Sequence, residues 1–190
     1  REMVKMKDQG KNEGAEMTEG GWVDQLRVHG KVAFVVVRDG TGYVQGVLAK
    51  KEIPEEVWAT ATALTQESSV LVTGVVRVEP RSPGGYELGL SNLELLGASP
   101  EYPIQPKEHG VEFLLDHRHL WLRSSQQRAG LRVRAEVEQA IHDFLYGRDF
   151  VRVDSPILTG SIGEHAGTLF ATDYFGQNAY LAQTGQLYAE

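Results

Sequence analysis

The sequence predicts an all-β barrel of five strands and one helix, followed by the beginning of an α+β unit. In the first half, short β-rich runs alternate with turn-forming residues, and one helical segment stands between the third and fourth runs. In the second half, a long amphipathic helix dominates the pattern. The strands of the barrel are predicted at 20–28, 31–39, 43–50, 69–80 and 86–97.

The helix of the barrel is predicted from Pro54 to Gln66, because proline suits the first helical turn and apolar residues share one face after it. The glycine run 39–42 is interpreted as a hairpin turn and not as a phosphate-binding loop, because a strand follows it. Three strands, a helix and two strands within about 80 residues are typical of an OB-fold barrel. Such barrels bind single-stranded nucleic acid on one face.

Composition excludes several classes of protein. The 190 residues are 41% hydrophobic, which is enough for a sizeable core, yet no run reaches 18 apolar residues, so a membrane span is excluded. The absence of cysteine excludes disulfides and is compatible with a reducing, cytoplasmic location. The net charge of -7 argues against nucleic-acid binding by bulk electrostatics, so any RNA contact must be local.

Four segments are expected along the chain. Residues 1–16 contain few apolar side chains and are predicted to be a weakly ordered lead-in, with a basic arm that touches RNA as the alternative. Residues 17–97 form the barrel. Residues 98–110 hold three prolines in 13 residues without periodicity, which predicts a stiff hinge linker. Residues 111–190 begin a second domain.

The second domain is organised around one helix, which begins at Ser124 or Ser125 and ends before Gly147. Phe150 to Val153 then predict a short buried strand, stopped by Pro156. A strand pair with its turn at 175–178 and the opening of a helix follow. The apolar side chains expected to form one buried stripe on the long helix are Leu131, Val133, Val137, Ala140, Ile141, Phe144 and Leu145.

Asp116, His117 and His119 raise the possibility of a metal site. Alternate residues of a strand face the same side, so the two histidines could bind one metal ion together if this stretch were extended. The sequence suggests no third ligand, and histidines in such a pattern more often pack or form hydrogen bonds. No metal site is therefore predicted.

Four stretches, in this order, resemble the class II aminoacyl-tRNA synthetases that charge aspartate, asparagine and lysine, and most closely the asparagine enzymes of bacteria. The stretches are 21–48, 101–123, 144–161 and 179–190, within a match that covers 17–190. The resemblance implies that residues 111–190 begin a catalytic domain with an antiparallel sheet. It also implies a homodimer, formed through the long helix, the strand after it and Pro156.

The resemblance further implies that the barrel reads the anticodon of tRNA(Asn). Phe34 would stack on an anticodon base, while Arg27 and Gln45 would hydrogen-bond base edges. From the residues alone, Phe34 could equally be core. Alternation puts Val32, Phe34 and Val36 on one face of the strand, but it does not say whether that face is the exposed one.

The amino-acid pocket implied by the resemblance involves Glu164 and the run from Gln183 to Glu190. Glu164 would pair with the substrate ammonium, and Gln186 would hold its backbone groups. The aspartate enzymes have a lysine where this chain has Ala189. Without that cation, and with the negative charge of Glu190 beside it, asparagine is favoured over aspartate as the substrate.

The implied reaction is ATP-dependent activation of asparagine, with magnesium, followed by transfer to tRNA(Asn). The catalytic and ATP-binding residues of the family are expected downstream of Glu190, and none is identified in this chain. The 190 residues alone are thus expected to be inactive. Three alternatives stay open: a non-catalytic tRNA-binding and dimerising module, an aspartyl-tRNA synthetase, and a synthetase-like paralogue that makes free asparagine.

Overall fold

A computed structural model describes residues 5–160 and 169–190. The chain divides into two compact units, Arg1–Gly110 and Val111–Glu190. The boundary lies at the end of the stretch predicted as a linker, 98–110. Each unit has its own sheet, one a closed barrel and the other three-stranded.

The first unit is a five-stranded barrel with the order β1-β2-β3-β5-β4, and one helix, α1, lies between β3 and β4. Neighbouring strands run antiparallel except β3 and β5, which are parallel where they meet. The OB-fold expectation is confirmed. The elements are β1 Glu16–His29, β2 Val32–Arg38, β3 Tyr43–Ala49, α1 Glu55–Thr62, β4 Ser69–Val78 and β5 Tyr86–Gly97.

Strand β1 closes the barrel because it is shared between two neighbours. Its first half, from Glu16, pairs with β4, and its second half, to His29, pairs with β2. The backbones of β1 and β2 come very close at Gly21, where an added Cβ would lie 2.4 Å from the carbonyl oxygen of Arg38. The strand begins at Glu16 and not at Gly20 as predicted, since the added residues form ladder bonds with β4 that hydrophobic alternation alone does not reveal.

The core of the barrel consists of one parity of each strand. On β2, Ala33, Val35 and Val37 are fully buried, so Phe34 lies on the outer face and is only partly covered. Helix α1 adds Trp58 to the core. The helix ends at Thr62 and not at Gln66, because the chain turns back to the sheet, with Glu67 at a φ of +68°.

The lead-in differs from the prediction in its described part. Met6–Asn12 forms a 3-10 helix, and the side chains of Met6 and Gln9 are each 3% exposed. The amide of Met6 donates to Asp39 Oδ2 at 3.1 Å. Within residues 5–16 the chain thus has regular structure, and the Met6 side chain packs in the barrel core.

The second unit begins with two short helices where the metal hypothesis assumed an extended strand. Its sheet is antiparallel with the order β6-β8-β7. The predicted strand pair, its turn and the final helix are confirmed. The elements are α2 Val111–Asp116, α3 Arg118–Trp121, α4 Ser125–Tyr146, β6 Leu158–Thr159, β7 Ala171–Tyr174, β8 Gln177–Leu181 and α5 Gln186–Ala189.

Helix α4 has the predicted length and the predicted N-cap, with Ser124 Oγ accepting from the amide of Gln127 at 3.4 Å. Its apolar stripe, however, is exposed in this chain, with Val137 at 54%, Ile141 at 53% and Phe144 at 57%. The spacing was thus predicted correctly, whereas burial of the stripe within the chain was not. No helix in the described ranges is long and apolar enough to cross a membrane.

The strand predicted at 150–153 is also absent. Residues 150–155 follow α4 without regular secondary structure, and Val151 is 83% exposed. Apolar β-branched residues favour extended backbone, but a strand needs a ladder partner, and the described part of this chain supplies none here. A groove of about 590 Å³ separates this segment from the last turns of α4.

Candidate nucleic-acid interface and amino-acid-binding segment

Three strands bring Arg27, Phe34 and Gln45 together on the outer face of the barrel. Arg27 on β1 pairs with Phe34 on β2, and Gln45 pairs with Val36 on the other side of the same strand. Arg27 Nη2 donates to Gln45 Oε1 at 3.1 Å, and the Arg27 guanidinium lies 5.9 Å from the centroid of the Phe34 ring. The three residues proposed from the resemblance therefore form one cluster.

The amide of Gln45 is fixed in orientation from its other side. Its Nε2 donates to Ser82 Oγ at 3.0 Å and lies 3.5 Å from Glu87 Oε2. Ser82 is 7% exposed, so this bond lies in a sheltered place. Sequence reasoning missed Ser82 and Glu87, because they are 37 and 42 residues away from Gln45 along the chain. The register of β3 against β5 places Glu87 opposite Gln45, and Ser82 lies in the turn just before β5.

The cluster lines a groove of about 440 Å³. At its rim, His29 meets the Phe34 ring edge-on with 6.4 Å between ring centroids, and Arg81 donates to Glu79 at 3.0 Å. The hydrogen bonds from Arg81 hold the pKa of Glu79 below its ordinary value. Two guanidinium groups and two carboxylates thus line the same groove as a partly exposed aromatic ring, which suits recognition of a planar base through stacking and hydrogen bonds.

The second set of proposed residues lies at the end of the second unit. Glu164 lies outside the described residues. Gln183 lies after β8, Gln186 begins α5, Ala189 ends it and Glu190 is its C-cap; all four are exposed. The amide of Gln186 donates to Thr184 Oγ1 at 3.1 Å, which fixes the start of the helix.

The segment that contains Pro156 runs beside the start of this helix. The amide of Ala182 donates to the carbonyl oxygen of Ile157 at 3.0 Å, at the point where β6 pairs with β8. A side chain at Gly185 would collide with the hydroxyl of Ser155. The Ser155 side chain is therefore in direct contact with the loop that precedes α5.

The metal hypothesis for Asp116, His117 and His119 is not supported by this geometry. The residues lie on and between helices α2 and α3, so the alternation of a strand does not apply. His117 Nδ1 lies 2.8 Å from the carbonyl oxygen of Phe113, and the two rings pack at 4.3 Å. Within residues 5–160 and 169–190, no group of three or more His, Asp or Glu side chains could hold a metal ion.

Two family models match consecutive parts of the chain. Residues 19–96 match the OB-fold nucleic acid binding domain, and residues 110–190 match the class II tRNA synthetases for aspartate, lysine and asparagine. Together the two models describe a class of protein in which a nucleic-acid-binding barrel is followed by a synthetase domain. The chain belongs to the class II aminoacyl-tRNA synthetases of this subclass.

Two curated relatives of the chain are asparagine enzymes. The asparagine–tRNA ligase of Desulforamulus reducens is 54% identical over 181 residues, which is 95% of this chain and 42% of that protein. The asparagine–tRNA ligase of Chloroflexus aurantiacus is 56% identical over 178 residues, which is 93% of this chain and 40% of that protein. The chain thus spans about two fifths of the length of the relatives it matches.

Solved structures agree with this assignment. The asparaginyl-tRNA synthetase of Pyrococcus horikoshii in complex with asparaginyl-adenylate has a TM-score of 0.88 and 37% identity, covering 98% of this chain and 44% of that one. The asparaginyl-tRNA synthetase of Entamoeba histolytica has a TM-score of 0.78 and 25% identity, covering 99% and 44%. The resemblance to the asparagine enzymes found in the sequence is confirmed.

Proposed function

We propose that this chain is part of an asparagine–tRNA ligase of the cytoplasm, in which the barrel reads the anticodon of tRNA(Asn). The observation that supports this most directly is the cluster of Phe34, Arg27 and Gln45 on the outer face of an OB-fold barrel. The relatives with 54% and 56% identity have the same named activity. For the complete protein we propose ATP and asparagine as substrates and magnesium as the cofactor.

In this proposal, Phe34 provides the stacking surface and Gln45 selects the base. The amide of Gln45 already uses its Nε2 toward Ser82 and Glu87, and one lone pair of Oε1 toward Arg27. The second lone pair of Oε1 is what the amide can still offer. It would accept a hydrogen bond from a base with an N–H group on its pairing edge, as uracil has. The fixed orientation means that little side-chain entropy is lost on binding.

A comparison of two phenylalanine variants tests the anticodon site. Phe34→Ala is expected to weaken binding of an anticodon stem-loop roughly 5- to 150-fold, since base–aromatic stacking is worth about 1 to 3 kcal/mol. Phe175→Ala is the matched control, because that ring is 88% exposed and belongs to the other unit. Binding is measured by fluorescence anisotropy of a labelled stem-loop. Unchanged affinity in both Phe34→Ala and Arg27→Ala would contradict the assignment.

We further propose that Glu164, Gln183, Gln186, Ala189 and Glu190 contribute to the amino-acid pocket and favour asparagine. Asparagine-dependent exchange of pyrophosphate into ATP by the complete protein tests the substrate. Ala189→Lys is expected to lower the ratio of asparagine to aspartate exchange, because the new cation would pair with the aspartate carboxylate. Exchange supported by aspartate and not by asparagine in the unaltered protein would overturn this substrate assignment.

We also propose a homodimer in which the exposed stripe of α4 and the segment with Pro156 meet a second copy. The stripe and the neighbouring Phe150 and Val151 are apolar and exposed, and monomers rarely leave so continuous an apolar surface uncovered. Sedimentation velocity of the complete protein tests this. A single monomeric species across micromolar concentrations would count against the dimer.

A further inference from the structure

The N-terminal 3-10 helix covers a carboxyl group that the proposed function does not use. Glu19 on β1 is 0% exposed, and its neighbour on the helix, Gln9, is 3% exposed. Gln9 Nε2 donates to Glu19 Oε2 at 3.3 Å. Glu19 Oε1 has no hydrogen-bond partner in the described part of the chain. A half-satisfied carboxyl inside a barrel is costly when ionised and much less so when it carries a proton.

The segment above Glu19 is attached to the barrel at only a few points. The amide of Met6 donates to Asp39 Oδ2, and that of Lys7 to Thr41 Oγ1 at 3.4 Å. Further along, the amide of Gly14 donates to the carbonyl oxygen of Val76 at 3.0 Å. The apolar anchor is the Met6 side chain. Such a segment opens at low free-energy cost compared with the strands beneath it.

The charges near Glu19 do not compensate it. Asp39, whose carboxylate accepts the Met6 amide, repels a negative charge on Glu19. The lysines of the segment, at 5, 7 and 11, are exposed, and Lys11 pairs with Asp8 at 2.6 Å. On β4, the residue opposite Glu19 is the apolar Val72. An ionised Glu19 therefore lies beside an anion and an amide, without a cation among these neighbours.

We propose that residues 5–14 are a proton-controlled plug of the barrel, which stays docked while Glu19 is protonated and opens more often when Glu19 ionises. The pKa of Glu19 is about 7, well above the ordinary 4.5. Burial is the main cause of this rise, repulsion by Asp39 adds to it, and the hydrogen bond from Gln9 opposes it. The free energy that holds the plug docked is thus lost progressively between pH 4.5 and pH 7. The plug also forms one wall of a groove of about 400 Å³ that includes Tyr43 and Pro83, beside Ser82. Release opens that wall.

The absence of cysteine makes a direct test possible, because one introduced thiol is the only thiol of the chain. Met6→Cys places it in the buried anchor, and Lys5→Cys places a reference thiol one residue away on the exposed side. The ratio of their maleimide labelling rates cancels the pH dependence of thiolate chemistry. From pKa values of about 7 docked and an ordinary 4.5 released, this ratio rises roughly thirtyfold between pH 5.5 and 8.5.

Two glutamate variants identify the responsible group. Glu19→Gln removes the titration and is expected to make the labelling ratio independent of pH. Glu16→Gln, on the same strand but exposed, leaves the rise intact. A flat ratio with Glu19 present, or the same rise in Glu19→Gln, overturns the proposal. If Met6→Cys does not fold, hydrogen exchange of the Gly14 amide in the unaltered chain replaces labelling, and equal pH dependence in both glutamate variants overturns the proposal in the same way.

Discussion

Replacing Glu19 by glutamine should stabilise the barrel in a way that depends on pH. The pKa of Glu19 in the folded chain, about 7, lies above the ordinary 4.5 of an unfolded glutamate. As pH rises through 4.5, the unfolded chain releases its proton first, so the folded state loses stability progressively up to pH 7 and keeps that loss at higher pH. A difference of 2.5 in pKa corresponds to about 3 kcal/mol.

Glutamine keeps the shape of the side chain and cannot ionise. The free energy of unfolding of Glu19→Gln minus that of the unaltered chain should therefore increase by about 3 kcal/mol between pH 4 and pH 8. Urea unfolding followed by circular dichroism at five pH values measures this difference. Glu16→Gln, exposed on the same strand, is the control and should give a nearly constant difference. A constant difference for Glu19→Gln as well would refute the reasoning.

Three further changes test the packing and the proposed assembly. Glu67→Gln removes the carboxylate that lies 2.6 Å from the buried guanidinium of Arg38 and leaves Asp24, at 3.9 Å, as its nearest charge partner. The variant should lower the free energy of unfolding by about 1 to 3 kcal/mol in urea titrations. Gly74→Ala places a Cβ 2.4 Å from the carbonyl oxygen of Gly89 and should lower the melting temperature in calorimetry. Ile141→Asp should reduce self-association in sedimentation while barrel melting stays unchanged, because the residue belongs to the other unit.

The barrel could be predicted from the sequence because its signals are local. Alternation of apolar residues and glycine-containing turns located all five strands, and the family resemblance identified Arg27, Phe34 and Gln45 as one set. Alternation alone could not say whether Phe34 faces the core. The structure answers this through Ala33 and Val35, which are fully buried and force Phe34 outward.

What could not be predicted depends on partners distant in sequence or outside the chain. The stripe of α4 is visible in the sequence, but no pattern states which molecule covers it. The 3-10 helix of the lead-in is too short to show periodicity, and its anchor is one methionine. The two helices α2 and α3 were not predicted. Val111, Leu114 and Leu115 have helical spacing, but the alternate histidines that follow them fit a strand equally well.

The close approach of Ser155 to Gly185 has a mechanical consequence. The Ser155 side chain fills the space that a Cβ at position 185 would occupy, and a backbone hydrogen bond from Ala182 to Ile157 lies next to the contact. The absence of a side chain at Gly185 is therefore what lets the segment with Pro156 pack against the loop before α5. A displacement of either segment would disturb the Ser155 contact and the neighbouring hydrogen bond together.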